Sequence, residues 1–209
     1  MLGVPVSDNG ALLAELNSRI AVCTDCELSE TRTRTVPGEG RPDAQIMFVG
    51  EAPGYYEDQQ GRPFVGPAGQ FLEQLLGSIG LRRADVFIGN VIKCRPPQNQ
   101  DPLPHQIKAC DAWLQRQLEI ITPKLVITLG RYSLAKYLPG QSISRIHGQP
   151  RRLGSLIVVP MYHPAAALHQ GSLRRTIEED FKKLPPLLKS TLEEEKEEPA
   201  PAAEQMRLL

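Results

Sequence analysis

The sequence predicts an α/β fold: a three-layer α/β/α sandwich with a central four-stranded parallel sheet. Short continuous apolar runs, typical of strands that are buried on both faces, begin near residues 46, 86, 125 and 156. Segments with apolar residues at helical spacing lie between these runs. Strands that alternate with helices favour a parallel sheet covered by helices on both faces.

The elements can be assigned in chain order. The predicted helices cover residues 11–22, 67–80, 104–121, a short segment that ends near Leu138, and residues 173–188, and the predicted strands cover residues 46–50, 86–92, 125–130 and 156–160. Pro67 and Gly80 suit the two ends of the second helix, because Pro favours the first turn and Gly ends helices. Residues 27–43 and 55–67 are polar with Pro and Gly, so we expect loops there, and a loop as long as the second is usually functional.

Length and composition indicate one soluble domain followed by a tail. The 209 residues are 41% hydrophobic and 23% charged, which is typical of a globular protein. Residues 190–209 hold six acidic and two basic residues together with Pro and Ala, so we predict a single domain over residues 1–189 and a disordered tail beyond it. The domain has 22 basic and 18 acidic residues, and its charge of about +4 is compatible with a polyanionic partner without requiring one.

The same sequence argues against membrane association. No apolar run approaches the roughly 20 residues that span a bilayer. The first ten residues lack the basic segment and apolar core of a secretory signal. We therefore expect a cytoplasmic protein.

The chain has four cysteines, Cys23, Cys26, Cys94 and Cys110. In a cytoplasmic protein such a set more often binds metal than forms disulfides. Cys23 and Cys26 have the C-x2-C spacing that lets two thiolates reach one metal centre, whereas Cys94 follows a strand and Cys110 lies on the next helix. Four thiolates are enough for Zn²⁺ or for an iron–sulfur cluster, and the spacing does not separate the two. The alternative is a buried core thiol at Cys110 beside an incidental Cys94.

Polar side chains follow three of the predicted strands. Glu51 follows the first strand, Asn90 ends the second and His163 follows the fourth, while Phe64 lies in the loop after the first. Parallel sheets bind ligands beyond the carboxyl ends of their strands. An amide that donates and accepts side by side, together with an aromatic ring that stacks, suits a flat hydrogen-bonding ligand. Each residue also has an ordinary interpretation as a turn former, a cap or a packing residue, but their coincidence at one sheet edge favours a pocket.

These motifs resemble those of the family-four uracil-DNA glycosylases, the thermophile-type enzymes that contain iron and sulfur. The matching stretches are Gly50-Glu51-Ala52-Pro53-Gly54, Gly61-Arg62-Pro63-Phe64-Val65-Gly66, Asn90 ahead of Lys93-Cys94-Arg95-Pro96-Pro97, the four cysteines, and His163-Pro164. The similarity extends over about residues 23–188 with the same order and separations. It is far more specific than any single motif.

The resemblance implies cleavage of the N-glycosidic bond of deoxyuridine in single-stranded DNA or at a G·U pair, leaving free uracil and an abasic site. It also implies a structural [4Fe–4S] cluster on Cys23, Cys26, Cys94 and Cys110, with zinc as the less favoured metal. We expect a monomer whose acidic tail is a candidate contact for other repair proteins. Two alternatives are a catalytically silent DNA-binding iron–sulfur protein of the same fold and a zinc-stabilised nucleotide-binding module.

The resemblance also suggests roles for individual residues. It makes Glu51 and His163 catalytic and assigns the uracil site to Gly50, Ala52, Glu57, Phe64 and Asn90. Phe64 would stack on the extruded base and Asn90 would read its N3–H and O4, which rejects cytosine. His163 would donate to O2, where negative charge collects, and Glu51 would orient or activate water and favour the cationic sugar. Glu57 would lie beside C5 and discriminate against the methyl group of thymine.

DNA would lie across the mouth of the pocket. The expected contacts are Arg145, His147, Leu168 and His169, with further phosphate contacts from Arg151, Arg152, Arg174 and Arg175. Leu168 and His169 would fill the space that the extruded base leaves.

The chain departs from the family pattern at two places. Tyr55 and Tyr56 stand where relatives often carry acidic residues, which affects the wall expected to face C5. His147 stands where relatives commonly have Arg. A related subfamily uses a His in an Arg-Ile-His loop to capture the abasic sugar, but that loop is an insertion near the second strand that this chain lacks. We therefore expect His147 to contact DNA and not to act as a nucleophile.

Overall fold

The computed structural model describes residues 9–197, which form a three-layer α/β/α sandwich. Residues 1–8 of the predicted domain and residues 198–209 of the predicted tail lie outside the described residues. Among the helices of the described range, none is both long and apolar enough to cross a membrane. The assignment of residues 1–189 to a single domain stays a prediction.

Within residues 9–197 the sheet has six strands, so the predicted count of four is wrong, although the four predicted strands form its parallel centre. In chain order the strands are β1 (Glu39–Gly40), β2 (Ile46–Gly50), β3 (Phe87–Asn90), β4 (Leu125–Leu129), β5 (Arg151–Leu153) and β6 (Leu156–Met161). Their order across the sheet is β1-β3-β2-β4-β6-β5, with β1 and β5 antiparallel to their neighbours. These edge strands have only two and three residues and lack the buried apolar run that marked the others.

The helices differ from the prediction mainly where segments are short. They are α1 (Asn9–Ala21), α2 (Leu28–Thr31), α3 (Tyr55–Gln60), α4 (Pro67–Ser78), α5 (Pro104–Ile121), α6 (Arg131–Tyr137), α7 (Ile143–Ile146), α8 (Pro164–His169), α9 (Ser172–Phe181) and α10 (Leu184–Glu197). The two loops expected before and after β2 therefore contain α2, β1 and α3. The last predicted helix is divided into α9 and α10.

Helix α10 also extends into the predicted tail. Residues 190–197 are helical, so a disordered tail that starts at residue 190 is wrong for this part of the chain. Thr191 is buried, and its hydroxyl donates to the Leu187 carbonyl at 2.8 Å. Glu194 pairs with Arg152 on β5 at 2.6 Å. The hydrogen bond continues the helix, and the ion pair links the first part of the acidic segment to β5.

Alternation along the buried strands builds the two outer layers. On β2, Ile46 and Phe48 face a core that includes residues of α4, α9 and α10. Met47 and Val49 face the opposite core, which includes residues of α1 and α5. All five residues of β2 are buried. The carboxyl ends of β2, β3 and β6 thus lie between two covered faces, where a pocket can form.

The loop that carries Phe64 is packed tightly onto α4. Phe64 has a left-handed backbone conformation (φ 52°), and Arg83 donates to its carbonyl at 2.8 Å while pairing with Glu39 at 2.5 Å. On α4, a Cβ added at Gly69 would lie 1.9 Å from the Phe64 carbonyl oxygen. The loop can therefore occupy this position only because residue 69 has no side chain.

Two glycines of α4 provide a matched test of this packing. Gly69→Ala should displace the Phe64 backbone and lower the free energy of unfolding by about 1–3 kcal/mol, as overpacking does. Gly77→Ala meets no atom of the described residues within 4 Å and should stabilise the helix by about 0.5–1 kcal/mol. Urea denaturation of both variants measures the two values. No loss of stability in Gly69→Ala, or a loss of the same size in Gly77→Ala, would contradict the packing described.

Candidate active site and metal centre

A cleft of about 470 Å³ opens at the carboxyl ends of the central strands. Eight of the predicted site residues line it: Glu51, Ala52, Glu57, Phe64, Asn90, His163, Leu168 and His169. Gly50 lies behind this lining, whereas Arg145 and His147 are not among the lining residues. The side chains at the floor are buried, since Phe64 is 6% and Asn90 only 1% exposed.

The floor of the cleft depends on the lack of a side chain at Gly50. Gly50 and Asn90 are paired in register between β2 and β3. A Cβ at Gly50 would lie 2.4 Å from Asn90 Oδ1 and 2.7 Å from Phe64 Cζ. The amide and the aromatic ring can therefore meet only above a glycine, because real Cβ contacts are never so short. Phe64 and Asn90 are thus close enough to contact one small ring.

Asn90 presents an acceptor that has no partner. Its Oδ1 atom is buried and makes no hydrogen bond to any described residue. A buried polar atom left unpaired costs about 1–3 kcal/mol, so such an atom in a folded protein calls for a partner such as an ordered water or a ligand. A ring N–H that entered the cleft would supply the missing donor.

Lys93 supports Asn90 from below, a role that the sequence analysis missed. The Lys93 ammonium is buried and donates to the Asn90 carbonyl at 2.8 Å and to Gln117 Oε1 at 2.7 Å. Gln117 in turn donates to the Pro37 carbonyl at 2.7 Å. Burial lowers the pKa of Lys93 to about 8. A lysine between Ile92 and Cys94, directly after an apolar strand, was the available signal for this buried group.

His163 is prepared to act as a neutral hydrogen-bond donor. Burial lowers the pKa of His163 to about 4, so the imidazole is uncharged at neutral pH. Its Nδ1 accepts the Ala165 backbone N–H at 3.1 Å, which leaves the ring proton on Nε2. The ring lies 5.5 Å from the Phe64 ring at 27°. A flat base needs about 7–8 Å between two ring faces, so it does not fit between this pair and must meet His163 at an edge.

Glu51 is a half-buried carboxylate at the tip of β2. Burial is the main reason that its pKa is raised above the usual value, and the charge of Asp101 raises it further, while Arg131 opposes the shift. Arg131 and Asp101 form an ion pair with each other. A carboxylate held in this way is a stronger base than one in water, which suits the positioning or activation of a water molecule.

Glu57 braces the cleft wall. One carboxylate oxygen accepts the backbone N–H groups of Val65 and Gly66, both at 2.9 Å, and the other accepts that of Gly54 at 3.1 Å. The side chain therefore joins the turn after β2 to the end of the Phe64 loop. Its expected discrimination at uracil C5 stays a prediction.

The predicted DNA contacts fall into two groups. Leu168 and His169 lie exposed at the end of α8 and line the cleft, with Leu168 50% exposed. His147 lies elsewhere, where its Nδ1 pairs with the buried Asp180 at 2.6 Å and its ring packs against Tyr162. The remaining arginines also lie outside the lining, and Arg152, Arg174 and Arg175 pair with glutamates. Contact of these residues with DNA stays a prediction.

The four cysteines surround a second, much smaller cavity of about 10 Å³. Cys94 and Cys110 are buried, and Cys23 and Cys26 are half-buried. Across the described range, no group of three or more His, Cys, Asp or Glu side chains is arranged to hold a metal ion. The four thiols nevertheless line one common cavity, as the ligands of a single cluster must.

Hydrogen-bond donors surround the same cavity. Arg32 donates to Cys94 Sγ at 3.1 Å, and the Lys93 backbone N–H donates to Cys110 Sγ at 3.2 Å. Trp113 also lines the cavity, and its buried indole N–H has no partner among the described residues. Donors directed at sulfur stabilise the negative charge of a thiolate-bound centre. The residues present therefore fit an iron–sulfur group.

Comparison with known proteins agrees with the fold and the cleft. The uracil DNA glycosylase superfamily model matches residues 37–185. The chain therefore belongs to the uracil-DNA glycosylase superfamily. Within it, the chain groups with the type-4 uracil-DNA glycosylases.

Three type-4 uracil-DNA glycosylases illustrate the similarity. That of Sulfurisphaera tokodaii is 49% identical over 183 residues, which cover 82% of this chain and 83% of the relative. That of Archaeoglobus fulgidus is 46% identical over 82% of this chain and 91% of the relative. That of Thermotoga maritima is 44% identical over 85% of this chain and 95% of the relative. The resemblance seen in the motifs is thus confirmed over most of the chain.

The raised pKa of Glu51 predicts a stability cost that depends on pH. The folded pKa lies above the unfolded value of about 4.5, so ionisation of Glu51 destabilises the fold above the folded pKa, and this cost vanishes below about pH 4.5. Glu51→Gln should therefore raise Tm by a few degrees at about pH 7.5 and leave it unchanged at about pH 4. Thermal melts across this range, with the exposed Glu15→Gln as control, measure the difference. A Glu51→Gln gain that is equal at both pH values would contradict the burial of this charge.

Proposed function

We propose that this chain extrudes deoxyuridine from DNA and hydrolyses its N-glycosidic bond, releasing uracil and leaving an abasic site. The observation that carries the proposal is the unpaired, buried Asn90 Oδ1 beside Phe64 at the floor of the cleft. A uracil N3–H is the donor that this acceptor lacks. The names of the type-4 relatives, uracil-DNA glycosylases, support the same activity.

Base recognition follows from the amide and the ring. Uracil stacks on Phe64, and Asn90 accepts from N3–H while its amide group donates to O4. Cytosine presents the reverse pattern, an N3 acceptor and a 4-amino donor, and would leave both Asn90 groups unpaired. Such a mismatch of buried polar groups rejects a ligand strongly. Extrusion itself costs a few kcal/mol, and less for a mismatched or single-stranded base.

His163 stabilises the leaving group. As the bond between C1′ and N1 breaks, the electron pair stays on uracil and charge develops on O2. The Nε2–H of neutral His163 donates to that oxygen from the edge of the base. A preorganised donor aimed at developing charge contributes about 3 kcal/mol. The hydrogen bond from His163 to O2 becomes stronger as charge develops on that oxygen. The imidazole stays neutral throughout, and no proton is transferred to the base.

Glu51 acts on the sugar side of the same bond. Its carboxylate, with a pKa raised by burial, accepts a hydrogen bond from the attacking water and stabilises the cationic sugar. The water oxygen bonds to C1′ and releases a proton to solvent, and the uracil anion takes up a proton from solvent at N1, so the products are free uracil and a 1′-hydroxyl abasic site. Each atom of the hydrolysis is then accounted for by DNA and water.

We assign the cysteine cavity to a [4Fe–4S] cluster held by Cys23, Cys26, Cys94 and Cys110. The cluster would supply structural cross-linking, since it would tie the segment after α1 to the segment that precedes and enters α5. It takes part in no step of the hydrolysis. Lys93 connects the two sites, because its backbone N–H donates to Cys110 and its ammonium supports Asn90. We place the DNA across the cleft mouth with Leu168 and His169 against the duplex.

Uracil release from a labelled oligonucleotide tests the activity. Asn90→Ala and His163→Ala should each lower kcat by about 10²–10³-fold, because each removes a polar group aimed at the base. His105→Ala is the matched control, since His105 is exposed, pairs with Glu27 and lies outside the cleft. Full activity in Asn90→Ala would overturn the recognition step. DNA binding without uracil release by the wild type would favour a silent DNA-binding protein instead.

Metal analysis tests the centre. The purified protein should be brown, absorb near ~400 nm and contain about four irons per chain. Cys110→Ser should lose the colour and lower Tm, because a ligand that closes the centre is removed. One zinc per chain and no visible absorbance would contradict the cluster and favour the zinc alternative.

A further inference from the structure

Two exposed tyrosines stand at the mouth of the cleft. Tyr55 and Tyr56 open α3, line the cleft and are both 53% exposed. Their rings meet edge to face, with centroids 5.6 Å apart and planes at 79°. Phe64 at the floor of the same cleft is only 6% exposed. The aromatic surface of this site therefore extends from the buried floor to the solvent.

The surrounding residues hold both rings in place. The Glu57 carboxylate fixes the first turn of α3 by accepting the Gly54 N–H at 3.1 Å. Tyr56 packs against Gly66, where an added Cβ would lie 3.0 Å from Tyr56 Cδ2. Arg95 lies over the Tyr55 ring at 5.2 Å and donates to Asn99 at 2.7 Å. Rings fixed in this way lose little conformational entropy when a ligand stacks on them.

The chemistry of this mouth suits a nucleic-acid strand. Stacking on tyrosine needs only the flat face of a base, so it is independent of sequence, and a neighbouring guanidinium adds attraction for phosphate and for base faces. Asn99 and Gln100, which also line the cleft, add polar groups. Gln98 and Asn99 both have left-handed backbone conformations, with φ of 54° and 55°. Such strained residues are concentrated at functional sites.

We propose that Tyr55, Tyr56 and Arg95 form a stacking platform for a base that neighbours the extruded uridine, and that this platform favours single-stranded DNA. In a duplex the neighbouring bases remain stacked on each other, so their faces are not available. In a single strand those faces are free, and the platform gains a contact that the duplex cannot offer. The inference rests on the proposed function for the identity of the DNA site, and it adds the preferred form of the substrate.

Binding of uracil-free DNA tests the platform separately from catalysis. Fluorescence anisotropy would compare a labelled single strand with its duplex. The Tyr55→Ala/Tyr56→Ala variant should bind the single strand about tenfold more weakly and the duplex within about twofold of wild type. The Tyr55→Phe/Tyr56→Phe variant keeps the rings and should bind both as wild type does. Arg95→Gln should weaken single-strand binding and reduce its salt dependence by about one charge.

Several results would overturn the inference. These are equal losses of affinity for single strand and duplex, no loss for either, or a loss in the Phe variant that matches the loss in the Ala variant.

Circular dichroism and thermal melting establish that each variant is folded, and the single substitutions Tyr55→Ala and Tyr56→Ala replace the double variant if it does not fold. Uracil release by the wild type is measured in parallel. A platform variant that binds normally in an enzyme that releases uracil refutes only the platform, whereas a wild type without uracil release refutes the proposed function.

Discussion

The close approach of Phe64 and Asn90 above Gly50 is the constraint on which the rest of the structure depends. The register of β2 with β3 places Gly50 beside Asn90, and the missing side chain leaves room for the Phe64 ring. The ring reaches that space only because Arg83 holds its strained loop and Gly69 lets the loop lie on α4. Two glycines far apart in sequence are thus needed for one aromatic contact.

The site places buried groups in energetically costly states and supports each of them from behind. Asn90 keeps an unpaired acceptor, Glu51 is ionised in a partly desolvated position, and His163 is forced to be neutral. Lys93 and Glu57 offset part of this free-energy cost, because they make several hydrogen bonds to backbone groups around the cleft. The unpaired and partly desolvated groups at the floor of the cleft lower the stability of the fold. They also make the floor complementary to a base, because the ligand then supplies the missing partners.

Much of the fold could be predicted because the determining signals are local. Four buried parallel strands are visible as apolar runs, and Pro104–Ile121 is visible as a helix with its own stripe and first-turn proline. The edge strands β1 and β5 could not be predicted, since two or three residues without a buried apolar run carry no pattern. Helix α3 could not be predicted because its segment is polar and has no apolar face. The Glu57 carboxylate instead fixes its first turn by accepting the Gly54 N–H. The acidic composition after Ser190 concealed the contacts that continue α10.

For the site, sequence reasoning found residues that line the cleft and missed those that support them from behind. Glu51, Asn90 and His163 could be predicted because a strand end fixes where they point. The partners Arg83, Lys93 and Gln117 act through contacts between distant segments, which no local pattern reveals. The stacking of His163 on Phe64 likewise arises only in three dimensions.

A crystal structure of the protein with uracil bound is the sharpest test of base recognition by Phe64 and Asn90. We expect the base on the face of Phe64, with N3–H donating to Asn90 Oδ1 at about 2.9 Å and His163 Nε2 at the edge that carries O2. Uracil bound elsewhere in the cleft, or bound with Asn90 Oδ1 still unpaired, would contradict it.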